Sequence, residues 1–252
     1  MRLILDRAAD GPTNMAIDEA LQSSLMASPG SPPAADGPLP VLRFYQWDRP
    51  TITLGYFQPA DVCDEHPELL RRCELIRRPT GGGAILHDAE LTYSLALPAD
   101  WPAAAHPTQL YPIVHRAIAA VLNELGVAAR LYDGPSLGNG QRGPFFCFAR
   151  RHSYDLVVNG DKIVGSAQRR RPGAILQHGS IMLGRAEPQP CVGVNDLAAT
   201  AISAGVLADR LAVRIADALG AEVTPSRLSD AELALAAEIA VKYRSDSWTR
   251  QR

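Results

Sequence analysis

The stretch RRPTGGGAILHD, residues 77–88, sets two arginines ahead of three consecutive glycines and closes on a histidine and an aspartate. Glycine gives up more backbone entropy on folding than any other residue, so three in a row ask for a reason. Read alone, TGGGA between two apolar strands is an ordinary loop. Its neighbours add a second reading. Without Cβ atoms a ligand can touch the backbone and N–H groups can converge on it, while Arg77 and Arg78 offer planar donors for phosphate or carboxylate. The pattern is neither the G-x-x-x-x-G-K-[ST] of a P-loop nor the G-x-G-x-x-G of a dinucleotide site.

Around this turn the chain reads as short strands: VLRFYQW, TITLGYF and CELIRRP before it, AILH and LTYSLALP after it. Each is β-branched or aromatic and bounded by Pro, Gly or Asp, which predicts a mostly antiparallel sheet. Upstream, PTNMAIDEALQSSLMA predicts a first helix with Thr13 or Asn14 as N-cap, Asp18 and Glu19 in the first turn, and Ile17, Leu21 and Leu25 on one face. Residues 28–40, SPGSPPAADGPLP, read as a flexible loop. Downstream, LYPIVHRAIAAVLNELG is a helix stopped by Gly126, and VVNGDKIV is a hairpin turning at Asn159-Gly160. GAILQHGSIML adds a strand, and residues 203–252 are Ala-rich and read as helical. This order lacks the regular βαβ alternation of a Rossmann fold and predicts a single α+β domain over residues 1–252.

With 46% hydrophobic and 21% charged residues in 252, the chain can bury a core without staples. A net charge of −2 provides no field for holding nucleic acid or an anionic membrane, so neither partner is expected. No apolar run approaches the roughly 20 residues of a membrane helix. The four cysteines are widely separated and the N-terminus has no signal-like core, which predicts a cytoplasmic protein with reduced thiols. Cys63, His66 and Cys73 suggest half a zinc site, but no second pair completes it, and no metal is expected.

Three side chains stand out for chemistry. Cys147, in GPFFCFARRHSYDLVV, reads either as a small buried hydrophobe or as a thiol that Arg150, Arg151 and His152 help to ionise. Cys63, Cys73 and Cys191 keep the first reading. Lys162, at the NGDK turn, is either a solvated turn residue or the head of KIVGSAQ, whose small residues permit close approach. His87 and His178 are ligand contacts or buried structural groups, whereas His66, His106 and His115 read as surface or structural.

Taken together, NMAIDEAL, RRPTGGGAILHD, KIVGSAQRR and ILQHGSIML resemble the lipoate-protein ligase and octanoyltransferase superfamily, which shares its fold with biotin protein ligase. The resemblance spans most of residues 13–185 and implies mixed, mostly antiparallel sheets packed by helices. It implies that the glycine turn lines an acyl tunnel, with Arg77, Arg78, Gly81, Gly82, Gly83, His87, Gly165, Ser166, Ala167, His178 and Gly179 contacting substrate. The segment FCFARRHSYDLVV is similar to the cysteine loop of LipM-type octanoyltransferases, so Cys147 maps onto their nucleophile and Lys162 onto its partner.

That resemblance implies octanoyl transfer from octanoyl-acyl carrier protein to a lysine of a lipoyl domain, on a 2-oxoacid dehydrogenase E2 or a glycine-cleavage H protein, with no cofactor required. An ATP- and Mg²⁺-dependent lipoate ligase, an amidotransferase between lipoyl-domain proteins, and a non-catalytic binder of acyl carrier or lipoyl domains are the alternatives. The chain departs from the ligases at Gln168, where their motif usually has Tyr, and in having about 65 residues after Arg185 rather than a separate domain. It departs from the LipM-type pattern in the basic stretch 149–152 and in the long loop at residues 28–40.

Overall fold

The computed structural model describes residues 1–26, 38–106, 108–138 and 143–252. Two sheets share the strands. The larger runs in the order β11 (Thr224–Pro225), β1 (Arg2–Leu5), β2 (Val41–Tyr45), β6 (Glu90–Pro98), β10 (Ala174–Met182), β9 (Asp161–Arg171), β8 (Leu156–Val158), β7 (Arg130–Leu131). It is parallel at its β11–β1–β2 end and antiparallel from β2 onward. The smaller sheet is β4 (Glu74–Arg77), β3 (Thr51–Leu54), β5 (Ile85–His87), with β3 parallel to β4 and antiparallel to β5. The strands flanking the glycine turn therefore form a sheet of their own, where the strand pattern alone predicted one sheet and the family resemblance implied more than one.

Alternation along β6 builds the layers. Leu91, Tyr93, Leu95 and Leu97 face the core that contains α3 (Leu110–Glu124) and α4 (Ala204–Ala218). The opposite face meets α1 (Gly11–Ser24) and α5 (Asp230–Tyr243), which pack together over Val41, Tyr45, Ala96 and Ala174. A third core holds the small sheet, α2 (Pro67–Arg72), Phe146 and Phe148. The arrangement is α+β, two sheets packed by helices, as the sequence predicted.

Three local expectations change. The N-cap of α1 is Asp10, not Thr13 or Asn14: its Oδ1 accepts from the Thr13 N–H at 2.8 Å, and Pro12 occupies the first turn, where no N–H is needed. Asp18 and Glu19 thus fall in mid-helix and are buried. The segment 203–252 is not wholly helical, since β11 interrupts it between α4 and α5, before α6 (Asp246–Thr249). The loop expected at 28–40 lies, through residue 37, outside the described residues. At the predicted hairpin, Asn159 and Gly160 both take positive φ, 51° and 91°, as a two-residue turn between β8 and β9 requires.

Candidate active site

The glycine turn, the Cys147 loop, β9 and β10 enclose a largely apolar cavity of about 440 Å³. Local chain geometry explains its wall. The Ala84 N–H donates to the Phe145 carbonyl at 2.8 Å and the Cys147 N–H to the Ala84 carbonyl at 2.7 Å, which ties the cysteine loop to the end of the glycine turn. Phe146 and Phe148 are buried beneath the small sheet, leaving Cys147 between them half-buried and facing the cavity. Gly82 holds φ +102°, and the point where its Cβ would stand is 2.7 Å from Arg78 Nη2 and 3.7 Å from Cys147 Sγ. The thiol is at ordinary contact distance; the positive φ and the close approach of Arg78 are what call for a bare backbone here.

The arginines do not point at an open anion site. Arg78 donates to the Thr53, Gly81 and Gly83 carbonyls at 2.7–2.9 Å and braces the turn from within. Burial pushes its guanidinium down to about 10. Arg77 does not line the cavity; it donates to the carbonyls of Gly55, Gln58 and Thr249, linking the small sheet to α6. Gly83 also lies off the cavity wall, against Arg150 and the Phe145 carbonyl.

Lys162 stands opposite Cys147. It pairs with Val157 on β8, next to the register shift at Leu156/Val157, and its side chain is 2% exposed. Nζ lies 3.7 Å from Cys147 Sγ, 2.9 Å from Asp155 Oδ2 and 5.4 Å from the Phe148 ring centre. A Cβ on Gly165 would meet Lys162 Cε at 2.4 Å, so the glycine gives the lysine its path along β9. Gly179 does the same for a hydroxyl pair, since a Cβ there would stand 2.3 Å from Ser166 Oγ and 2.7 Å from Tyr93.

Buried hydrogen bonds order the rest of the wall. His115 Nδ1 reaches the Tyr154 carbonyl at 2.5 Å, and a carbonyl only accepts, so Nδ1 carries the proton. Nε2 then accepts from Ser166 Oγ, which accepts from Tyr93 OH, both at 2.6 Å. Burial pushes His115 down, in keeping with a neutral ring. His178 joins Asp18 of α1 at 3.2 Å to Thr80 at 2.7 Å. His87 contacts Glu90 at 2.8 Å and Thr53 at 2.9 Å and stacks on Trp47, with burial pushing it down against the Glu90 carboxylate.

Of the residues singled out from sequence, Arg78, Gly81, Gly82, His87, Cys147, Lys162, Gly165, Ser166, Ala167, His178 and Gly179 line one cavity. Sequence reasoning missed Asp155, although it stands in the quoted HSYD, and it left His115 among surface or structural residues. Burial pushes the other thiols up, Cys63 to about 11 and Cys73 and Cys191 in the same direction. Among the described residues no three His, Cys, Asp or Glu side chains cluster as metal ligands, and no helix is long and apolar enough to cross a membrane.

A ligand-sized cavity with a thiol and a buried lysine side by side on its wall sets the class. The chain belongs to the lipoyl protein ligase A/B catalytic domain family, whose model matches residues 10–230. It is 34% identical to octanoyltransferase LipM of Kyrpidia tusciae, across 98% of this chain and 97% of that one. The LipM octanoyltransferase of Brevibacillus brevis is also 34% identical, across 100% and 99%. Among solved structures, protein Ta0514 of T. acidophilum with bound lipoic acid superposes with a TM-score of 0.78 at 24% identity, covering 100% of this chain and 99% of that one.

Proposed function

We propose that the chain transfers an octanoyl group from octanoyl-acyl carrier protein to a lysine of a lipoyl domain through a Cys147 thioester. The observation that carries this reading is the 3.7 Å approach of Lys162 Nζ to Cys147 Sγ on the wall of an apolar cavity. An ammonium beside a thiol favours thiolate, the nucleophilic form. The thiolate attacks the donor carbonyl carbon, the bond to the phosphopantetheine sulfur breaks, and that sulfur leaves with a proton supplied from Lys162. The acceptor amine then attacks the Cys147 thioester, losing a proton as the amide forms, and the thiol is restored. The donor is already a thioester, so neither ATP nor metal enters the balance. Burying an eight-carbon chain at about 0.8 kcal/mol per CH₂ is worth roughly 5 kcal/mol, enough for cavity depth to select chain length.

The ligase alternative asks for cationic donors free to meet a phosphate in the cavity, whereas Arg78 is spent on backbone carbonyls and Arg77 lies off the cavity wall. The LipM relatives across nearly the whole chain favour transfer as well. The deciding experiment mixes the protein with octanoyl-acyl carrier protein, without ATP, and reads intact mass. An octanoyl adduct that is absent from Cys147→Ala and passes to an added lipoyl domain or H protein is expected. A strict need for ATP would sink the proposal in favour of the ligase.

A further inference from the structure

Lys162 is held more firmly than a thiol partner alone could hold it. Its Nζ contacts two groups among the described residues, Cys147 Sγ at 3.7 Å and Asp155 Oδ2 at 2.9 Å, and the shorter contact is to the carboxylate. Both charged residues are buried, Lys162 at 2% and Asp155 at 5% exposure. Asp155 is itself fixed from several sides. Its Oδ2 accepts from the His152 N–H at 2.8 Å, its own N–H donates to the His152 carbonyl, and its carbonyl accepts from Tyr132 at 2.7 Å. The preceding residue, Tyr154, is held at φ +76° with its carbonyl bonded to His115. A non-glycine residue in that region is strained, and such strain persists only where the surroundings impose it.

We infer that Asp155 is a positioning residue for the reaction: it keeps Lys162 an ammonium in a buried site and aims it at the Cys147 sulfur. The inference rests on the octanoyl-transfer reading for its purpose, but its geometry stands apart from any substrate. A buried ammonium without a counter-ion gives up its proton, because burial penalises the charged form. A neutral amine would no longer stabilise a thiolate 3.7 Å away. The ammonium carries three donors. One is committed to Asp155 and one is turned to the sulfur, and Lys162 itself lines the cavity, where the leaving sulfur must receive its proton. The other charged or titratable groups facing the trio are Arg78 from the glycine turn, Arg150 and His152 from the cysteine loop, and Tyr111 and His115 from α3. None of them is bonded to Nζ, so none replaces the carboxylate.

The test is the pH profile of Cys147 alkylation by iodoacetamide, followed by intact mass, beside octanoyl-transfer kinetics. Asp155→Asn preserves shape and removes the charge. Its alkylation midpoint is expected to rise by about one pH unit, with kcat about tenfold lower and KM for octanoyl-acyl carrier protein little changed. Lys162→Met should shift the midpoint in the same direction, and the double variant should shift it no further than the larger single change, as groups acting through one another do. A midpoint that stays or falls in Asp155→Asn, or shifts that simply add, would overturn the inference. A role in folding alone would lower thermal stability and leave the profile in place. Should Asp155→Asn not fold, Asp155→Glu carries the test: it keeps the charge but moves it, so wild-type kcat and an unmoved profile would count against a positioning role. A shifted profile in a protein that transfers no octanoyl group would defeat the functional reading and leave the Asp155 assignment intact.

Discussion

Two buried ion pairs sit on strands of the same sheet and are finished differently. On β2, Arg43 is wholly buried and every donor group of its guanidinium is engaged: Nε with Asp6, Nη1 with Asp18 and the Asn14 carbonyl, Nη2 with the Asn14 side chain. Asp18 closes the circuit, accepting from Tyr45 OH at 2.9 Å and contacting His178 at 3.2 Å. On β9, Lys162 has one carboxylate and one sulfur as partners and lines the cavity. A closed set of partners locks α1 to the sheet; an open one leaves a charge available to whatever enters. The contrast separates a charge enclosed by the fold from one left open to the cavity.

The strongest way to break this contrast is Cys147→Ala, which should abolish octanoyl transfer with an unchanged melting temperature, because the thiol faces the cavity rather than filling a core. Serine at Cys63, Cys73 or Cys191 should leave transfer largely intact. Full activity in Cys147→Ala, by intact mass of the acceptor, would show the open pair to be structural.

The closed pair should answer in stability instead. Arg43→Met leaves Asp18 buried without its cation, a change that costs about 3–5 kcal/mol in comparable buried pairs, measured by guanidinium denaturation. A loss below about 1 kcal/mol would mean that the network does not hold α1 in place.

Between these extremes lies the glycine turn. Gly82→Val forces a side chain into φ +102° and onto Arg78 at 2.7 Å, so about 1–3 kcal/mol of stability and most of the transfer activity should be lost. Gly81→Ala meets nothing nearer than Phe57 at 3.8 Å and should shift stability by no more than about 0.5 kcal/mol. Equal melting temperatures for the two variants would refute the distinction.

The smallest effect concerns Glu19, which bonds Tyr243, Lys242 and Arg171. Burial raises its carboxyl, but these partners outweigh burial and hold it below the ordinary 4.5. A depressed folded value stabilises above the unfolded one and is lost on acidification. Wild type should therefore exceed Glu19→Gln in stability at neutral pH, with the gap closing as the pH falls below 4.5. A gap constant with pH would assign the contact to packing alone.

Local sterics made part of this protein legible in one dimension. The Asn159-Gly160 hairpin, the stop of α3 at Gly126 and the exposed backbone at Gly82 follow from conformations that few other residues adopt. The motifs that placed Cys147 and Lys162 as partners are also contiguous in sequence. The partners of buried charges were not legible. Arg77 and Arg78 read as anion donors, yet Arg77 finds a carbonyl 172 residues away, and Arg78 finds one 25 residues back besides two in its own turn. His115 read as surface or structural, with no link to the cavity, because only the docking of α3 on β9 sets it against Ser166, and Asp155 went unnoticed because only the fold sets it against the buried Lys162. Turn geometry depends on a residue's own backbone and so is written in the sequence. The use of a buried polar group depends on what distant chain covers it, which only tertiary packing decides.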